Sequence, residues 1–131
     1  MAGAGPAQLA AGPTGRLFAV GDRLYVSDTA NHRVQRWDPG SGEGVTVAGG
    51  RGCGPATNQL NHPGGVWALA DGTVYVADTG NHRVVKWRDG GTAGILVAGG
   101  HGPGAGPHQL HEPVDVAVDG TSGALLVADF G

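Results

Sequence analysis

The chain has 131 residues, a net charge of −3, 27 glycines, 8 prolines and a single cysteine. One cysteine excludes an internal disulfide and a zinc site with several sulfur ligands, and no apolar run is long enough to span a membrane. The acidic balance makes nucleic acid an unlikely partner, because a surface that neutralises phosphates is normally basic. No cofactor is predicted, and the sequence does not indicate a cellular compartment.

The first part of the chain contains four predicted strands. They cover residues 16–20, 23–27, 33–37 and 44–48. The second of them has alternating apolar positions and residues that favour strands, as in a strand with one buried face. Gly21-Asp22 and the glycine-rich residues 38–44 provide the turns.

The chain must also reverse between the second and third strands, where it reads Asp28-Thr-Ala-Asn-His-Arg33. Asp and Asn side chains accept hydrogen bonds from the backbone of their own turn, and Asn tolerates a left-handed conformation. Arg33 begins the third strand within reach of Asp28. We therefore predict a contact from Asp28 to Arg33, or to the turn backbone, that fixes this corner.

This arrangement then repeats at an offset of 50 residues. Residues 24–37 and 74–87 are identical at nine of fourteen positions, and VAGG at 47–50 returns at 97–100. The second copy predicts strands at residues 65–69, 73–77, 83–87 and 94–98. Prolines recur at the same step, at Pro13, Pro63 and Pro113.

A third copy starts at Leu110 and ends after its second strand, where Asp129 takes the place of Asp78 after one inserted residue. Residues 3–9 match residues 104–110, which places the beginning of the sequence in a spacer between copies. We predict a single domain over residues 1–131, with repeats at about 9–58, 59–108 and 109–131. Four short strands that recur in this way indicate propeller blades. The predicted fold class is therefore all-β, a partial β-propeller of about two and a half four-stranded blades.

The corner motif resembles the NHL-repeat family, whose triplet corresponds to Asn31-His32-Arg33 and Asn81-His82-Arg83. The surrounding P-x-G-V and VYVADTGNHRV segments are similar to the family's common form. The resemblance implies a closed β-propeller, usually of six blades, that binds proteins or RNA. At 50 residues a blade, six blades need about 300 residues. We therefore expect this chain to be a fragment of a larger propeller.

The predicted function is a non-catalytic repeat scaffold that binds a protein or peptide. No catalytic residue is predicted, because the sequence has no nucleophile elbow, P-loop or dinucleotide fingerprint. Because the corner motif occurs in both complete copies, a structural role is favoured over a binding role for its residues. The candidate binding residues are Asp28, Asn31, His32, Arg33, Asp78, Asn81, His82 and Arg83.

Two alternatives remain open. One is RNA binding through a basic strip formed by Arg33, Arg36, Arg83, Lys86 and Arg88. The other follows from the resemblance of the family to the zinc-dependent peptide α-amidating lyases, which bind the metal in a central channel. Four further histidines lie in the spacers, at His62, His101, His108 and His111. No metal site is predicted from them, because glycine-proline loops are expected to fix imidazoles poorly.

Three further residues and one segment have expected places in the fold. Trp37 and Trp87 end the third strands and are expected to pack between adjacent blades or under the outer turn. Cys53 is expected to be a small residue in a glycine-rich loop. Residues 123–130 would form an uncovered apolar edge strand, so the isolated chain is expected to self-associate or to be loosely ordered in its last third.

Overall fold

The computed structural model describes residues 16–129. Ten strands form three antiparallel sheets, two of four strands and one of two, and strands that follow one another in the chain pair side by side. This confirms the all-β fold class and the four-stranded repeat, although the three described sheets do not close into a ring. The predictions for residues 3–9, Pro13, the start of the first repeat and Phe130 fall outside the described residues.

The bounds of the strands follow the repeat. The first sheet contains β1 (Leu17–Val20), β2 (Arg23–Asp28), β3 (Arg33–Trp37) and β4 (Val45–Gly49). The second sheet contains β5 (Val66–Ala68), β6 (Val74–Asp78), β7 (Arg83–Trp87) and β8 (Ile95–Gly99), and the third contains β9 (Pro113–Val118) and β10 (Leu125–Asp129). The strands of the two complete repeats begin and end within two residues of their predicted positions.

The two complete sheets have the same register. Asp28 pairs with Arg33 in the first sheet, and Asp78 pairs with Arg83 in the second. The pairing of the last two strands shifts after Val34 in one sheet and after the equivalent residue of the other. Equivalent residues therefore occupy equivalent positions, as the 50-residue repeat requires.

Each corner between the second and third strands is a single 3-10 turn, Thr29–Asn31 or Thr79–Asn81. The residue in the left-handed conformation is the histidine that follows, with φ of 55° at His32 and 54° at His82. The tolerance of asparagine for this conformation, on which the sequence interpretation drew, is therefore not used. The asparagine stays inside the turn, where its side chain bonds the aspartate, and the chain reverses one residue later.

The core lies between successive sheets. The first sheet contributes Tyr25, Val34 and Ala48, and the second contributes residues on the facing side, namely Val66, Ala68, Val74, Val76, Val85 and Trp87. A smaller cluster around Ala77, Val84 and Val116 joins the second sheet to the third. Both faces of the second sheet are thus buried, as expected for a blade between two others. No helix among residues 16–129 is long and apolar enough to cross a bilayer.

The two equivalent tryptophans are in different surroundings. Trp87 is 2% exposed and packs between the first two sheets, as predicted. Trp37 is half-buried and lies on the opposite face of the first sheet from Tyr25. A glycine packs against each indole, because a Cβ at Gly44 or Gly94 would come within 2.8 Å of the ring. Both tryptophans therefore lie under the turn that leads into the last strand of their sheet. Only the position of Trp87 between two sheets is shown.

Candidate functional site

The aspartates of the corner motif are hydrogen-bond acceptors inside the protein. Arg33 Nε donates to Asp28 at 2.9 Å, and Arg83 Nε donates to Asp78 at 2.7 Å. The predicted contact between aspartate and arginine is therefore present at both corners. In each corner the asparagine side chain also donates to the aspartate, at 3.0 Å in the first and 2.9 Å in the second.

Asp78 has a third donor, which comes from the segment that leads into its own sheet. The backbone N–H of Asn61 donates to Asp78 Oδ1 at 2.8 Å. His111 donates to Asp129 in the same way at 2.7 Å. Asp129 therefore takes the place of Asp78 in the third sheet, as the sequence predicted, and both carboxylates attach the start of a sheet to the end of its second strand.

The burial of Asp78 has an electrostatic consequence. Desolvation raises the pKa of Asp78 above its ordinary value, while hydrogen bonds from Asn81, Asn61 and Arg83 act in the opposite direction. The donors thus offset only part of the cost of burying the carboxylate. Because this side chain is fully buried and surrounded by donors of its own chain, its geometry is that of a structural carboxylate.

Arg83 also holds the first spacer, residues 50–62, which connects the first two sheets. Besides Asp78, its guanidinium donates to three backbone carbonyls of this spacer, those of Pro55, Ala56 and Gln59, at 2.9–3.0 Å. Asn81 donates to a fourth, that of Gly54. Polar side chains of the second sheet thus satisfy four carbonyls of the first spacer and hold its backbone against that sheet.

In each spacer, a glutamine side chain forms hydrogen bonds to the backbone of the same loop. Gln59 donates to the carbonyl of Arg51 at 2.9 Å and accepts the N–H of Ala56. In the second spacer, residues 100–112, Gln109 donates to the carbonyl of His101 at 3.1 Å and accepts the N–H of Gly106. Repetition of the glutamine at an offset of 50 therefore repeats the loop conformation.

The threonine of the motif connects its sheet to the next one. Thr29 Oγ1 donates to the carbonyl of Pro63 at 2.8 Å, and Thr79 Oγ1 donates to that of Pro113 at 2.6 Å. Both pairs are separated by 34 residues. Ser27 adds a second donor to the carbonyl of Pro63. This connection was not predicted, although the motifs and the prolines recur at the same spacing in the sequence.

The histidine of the motif makes a second connection of the same kind. His32 Nδ1 accepts the backbone N–H of His62, and His82 Nδ1 accepts that of Glu112, both at 3.0 Å. Because Nδ1 is the acceptor, the proton of the neutral ring lies on Nε2. Burial and the nearby His62 lower the pKa of His32, against an opposing effect of Asp78, and so favour this neutral form.

The first strands of successive sheets contact each other, β1 with β5 and β5 with β9, and all three border a groove of about 430 Å³. Its lining includes Phe18, Val66, Trp67, Val116 and Leu126. The rings of Phe18 and Trp67 lie 4.6 Å apart at an angle of 44°. The groove is therefore mainly apolar, with an aromatic pair where the first two sheets meet.

An ion pair between the first and third sheets lies at one end of this groove. Arg16 and Asp115 approach to 2.7 Å. Gly65 occupies the equivalent position of the intervening sheet, since its carbonyl accepts from Ala77 as that of Arg16 accepts from Ser27. A Cβ at Gly65 would overlap the carboxylate of Asp115. Glycine at this position thus leaves room for the ion pair across the middle sheet.

The arginines of the predicted basic strip are mostly paired. Arg33 and Arg83 bond the corner aspartates. Arg36 contacts Asp38 at 3.0 Å and Asp89 at 3.5 Å. Of the strip's five members, only Lys86 and Arg88 make no ion pair within residues 16–129. The strip is therefore largely neutralised by its own chain.

The structure also brings together residues that the sequence analysis treated separately. His32, Cys53 and His62 each place one potential ligand atom within 4.8 Å of the others. Cys53 lies in an exposed loop, as expected. The offset of 50 relates positions within equivalent repeats, but it does not reveal which spacer side chains approach a corner, so this grouping had no signal in the sequence.

These features define an all-β repeat protein with consecutive, propeller-like sheets. Residues 60–87 match the family model of the NHL repeat, which confirms the predicted resemblance. No curated protein matches the chain.

Two solved structures from Bacteroides thetaiotaomicron have a similar fold. A candidate phosphatase matches with a TM-score of 0.64 and 19% identity over 87% of this chain and 32% of its own. An auxiliary nutrient binding protein matches with a TM-score of 0.59 and 14% identity over 82% of this chain and 32% of its own. At these identities the likeness shows the fold alone. The chain spans about a third of the length of these proteins.

Proposed function

We propose that this chain is a non-catalytic part of a larger NHL propeller and that it binds a protein or peptide segment. The binding surface is the groove between the first strands, together with the end of the sheets at which the corners and spacers lie. The observation that carries the proposal is this groove, which is apolar along its walls and charged at one end. Sites that combine apolar walls with a few placed polar groups are typical of ligand recognition.

The groove offers two kinds of contact to a peptide. The Phe18–Trp67 pair provides an aromatic surface for an apolar side chain. The side chains of Arg16 and Asp115 are 51% and 42% exposed, so they remain accessible to charged or backbone groups of a ligand. Hydrogen bonds within the nearby spacers support the proposal, because an ordered surface loses less conformational entropy on binding.

The eight corner residues have a different role in this proposal. Their side chains hold the hairpin, the spacers or the next sheet, so we assign them to the structure and not to the ligand. The same engagement supports a non-enzymatic role, since the corner carboxylates and imidazoles are occupied by intramolecular bonds. The pairing of Arg33, Arg36 and Arg83 makes RNA a weaker candidate than protein.

The proposal is tested by selecting peptides from a random displayed library against the full chain and measuring their affinity by calorimetry. Phe18→Ala and Arg16→Ala should weaken the selected peptides by about tenfold or more, because about 1.4 kcal/mol corresponds to a factor of ten. Leu96→Ala is the matched control, since Leu96 is 49% exposed on β8 and does not line the groove. Failure to enrich a peptide, or equal affinity for all variants, would contradict the proposal.

The RNA alternative is separated by filter binding with a salt titration. RNA affinity that falls steeply with salt, and falls further in Lys86→Ala, would favour RNA over a protein ligand. The lyase alternative requires zinc in the central groove, where histidine is absent from the described lining. A metal analysis of the full-length protein tests that alternative.

We also propose that the isolated chain self-associates through β10. This strand pairs with β9 on one side and has no described neighbour on the other. Leu126, the second residue of this strand, is 58% exposed. Light scattering should show concentration-dependent association that Leu126→Lys reduces, because a charge on an edge strand opposes pairing. A monodisperse monomer with one sharp unfolding transition would contradict this proposal.

A further inference from the structure

A cluster of metal-ligating side chains lies at the junction of the first two sheets, away from the groove. It contains the half-buried His32 and the exposed Cys53 and His62, whose potential ligand atoms lie within 4.8 Å of one another. Imidazole nitrogen and thiolate sulfur are the ligands that Zn²⁺ prefers in proteins. We propose that these three residues bind one Zn²⁺ ion, with Cys53 and His62 as the principal ligands.

The backbone of the first spacer brings the two principal ligands together. Cys53 forms a parallel bridge with Leu60, which is fully buried and lies two residues before His62. Gln59 and Arg83 hold the intervening loop through the bonds described above. Zinc bonds of about 2.0–2.3 Å require the ligand atoms to move somewhat closer together. The exposed side chains of Cys53 and His62 have room to do so.

The hydrogen bond between His62 and Asn61 selects the tautomer of His62 that suits metal binding. Its Nδ1 lies 2.6 Å from Asn61 Oδ1, which is an acceptor, so Nδ1 carries the proton and donates it. Nε2 is then left with a free lone pair. Metal-ligating histidines commonly donate their other ring N–H to an oxygen in this way, which fixes the tautomer and the ring orientation.

His32 is the weaker third ligand. Its Nδ1 already accepts the backbone N–H of His62, so the ring must give up that bond in order to bind the metal, either through Nδ1 itself or through Nε2 after the ring proton has moved to Nδ1. Both routes cost free energy. A water molecule would complete a four-coordinate site.

The next junction provides an internal comparison. At an offset of 50, the equivalents of His32, Cys53 and His62 are His82, Pro103 and Glu112. His82 keeps the same backbone bond, which shows that the corner histidine serves the connection between sheets. That connection does not require cysteine or a second histidine. The side chains of Cys53 and His62 are therefore not needed for the connection between sheets, and they occur only at the first of these two junctions.

The test is a titration of the full, reduced chain with Co²⁺ and then with Zn²⁺. We expect one ion per chain and a thiolate-to-cobalt charge-transfer band, with Zn²⁺ displacing Co²⁺. Cys53→Ser should abolish the band, and both Cys53→Ser and His62→Asn should weaken Zn²⁺ binding by about tenfold or more. Asparagine is chosen because His62 has a φ of 49°, a conformation that asparagine tolerates. Far-ultraviolet circular dichroism checks that the variants fold.

His108→Ala is the matched control, because His108 lies in the second spacer and outside the cluster. It should leave the affinity and the band unchanged. The double variant Pro103→Cys, Glu112→His should add a second site and raise the stoichiometry to two ions per chain. The proposal is overturned if the wild-type chain binds no Zn²⁺, if Cys53→Ser and His62→Asn bind it unchanged, or if His108→Ala abolishes binding.

Discussion

Replacing Asp78 with alanine removes a carboxylate that accepts three hydrogen bonds. The N–H of Asn61, the side chain of Asn81 and Nε of Arg83 all donate to this carboxylate. Asp78 is fully buried, and the side chain of Arg83 is only 13% exposed, so water cannot readily replace the lost acceptor. The variant would leave a nearly buried guanidinium without its carboxylate and would free the segment that leads into the second sheet.

The first repeat supplies the matched variant Asp28→Ala, with which the loss of unfolding free energy in Asp78→Ala can be compared. Removing one partner of a buried ion pair costs about 3–5 kcal/mol, and we expect Asp78→Ala to fall in this range. The side chains of Asp28 and Arg33 are 11% and 34% exposed, so solvent offsets part of the loss at the first corner. We therefore expect Asp28→Ala to cost about 1–2 kcal/mol.

Urea unfolding of the full chain, followed by tryptophan fluorescence and circular dichroism, measures both losses. A small domain has a total stability of about 5–15 kcal/mol, so Asp78→Ala should shift the midpoint far more than Asp28→Ala. Equal losses in the two variants, or a loss below about 1 kcal/mol for Asp78→Ala, would refute the reasoning from burial.

Three other predictions concern packing and pH. Gly65→Ala should lower the thermal midpoint, at a cost of about 1–3 kcal/mol, because the added Cβ would displace the carboxylate of Asp115. A Cβ at Gly42 meets no neighbouring atom, so Gly42→Ala should leave the midpoint unchanged. Equal midpoints for the two variants would contradict this prediction. Trp87→Ala should cost about 3–5 kcal/mol in urea unfolding, because the indole is buried between two sheets, and a loss under 1 kcal/mol would show that the sheets do not pack there. Burial raises the pKa of Asp78 in the folded chain above its ordinary value of 3.8. At a pH between 3.8 and the raised pKa, the folded chain therefore binds a proton that the unfolded chain releases. The stability of the wild-type chain relative to Asp78→Asn should therefore increase as the pH falls toward 3.8, and a difference that shrinks on acidification would contradict this.

The sequence predicted the strands well because their signals are local and repeated. Short runs rich in β-branched and aromatic residues, bounded by glycine-rich turns, mark the strands, and a second copy at an offset of 50 supports the boundaries of the first. The contact between Asp28 and Arg33 was also predictable, since the two residues face each other across one short turn. These features depend on neighbours in the chain and not on the arrangement of the sheets.

The contacts between sheets were not predictable in the same way. Nothing local shows that Thr29 bonds the carbonyl of Pro63 or that the ring of His32 accepts the N–H of His62, because both depend on how one sheet packs on the next. The approach of Cys53 to these histidines depends in turn on the path of the first spacer. The sequence therefore predicted only that the corner motif stabilises its own hairpin. In the structure, its threonine and histidine also connect one sheet to the following one.

Nuclear magnetic resonance tests this connection most directly. We expect cross-relaxation between the ring of His32 and the amide of His62, and equally between the ring of His82 and the amide of Glu112, with both amides protected from exchange with solvent. Two free amides, or a cross-peak at one junction and none at the other, would show that the repeated motif does not join successive sheets.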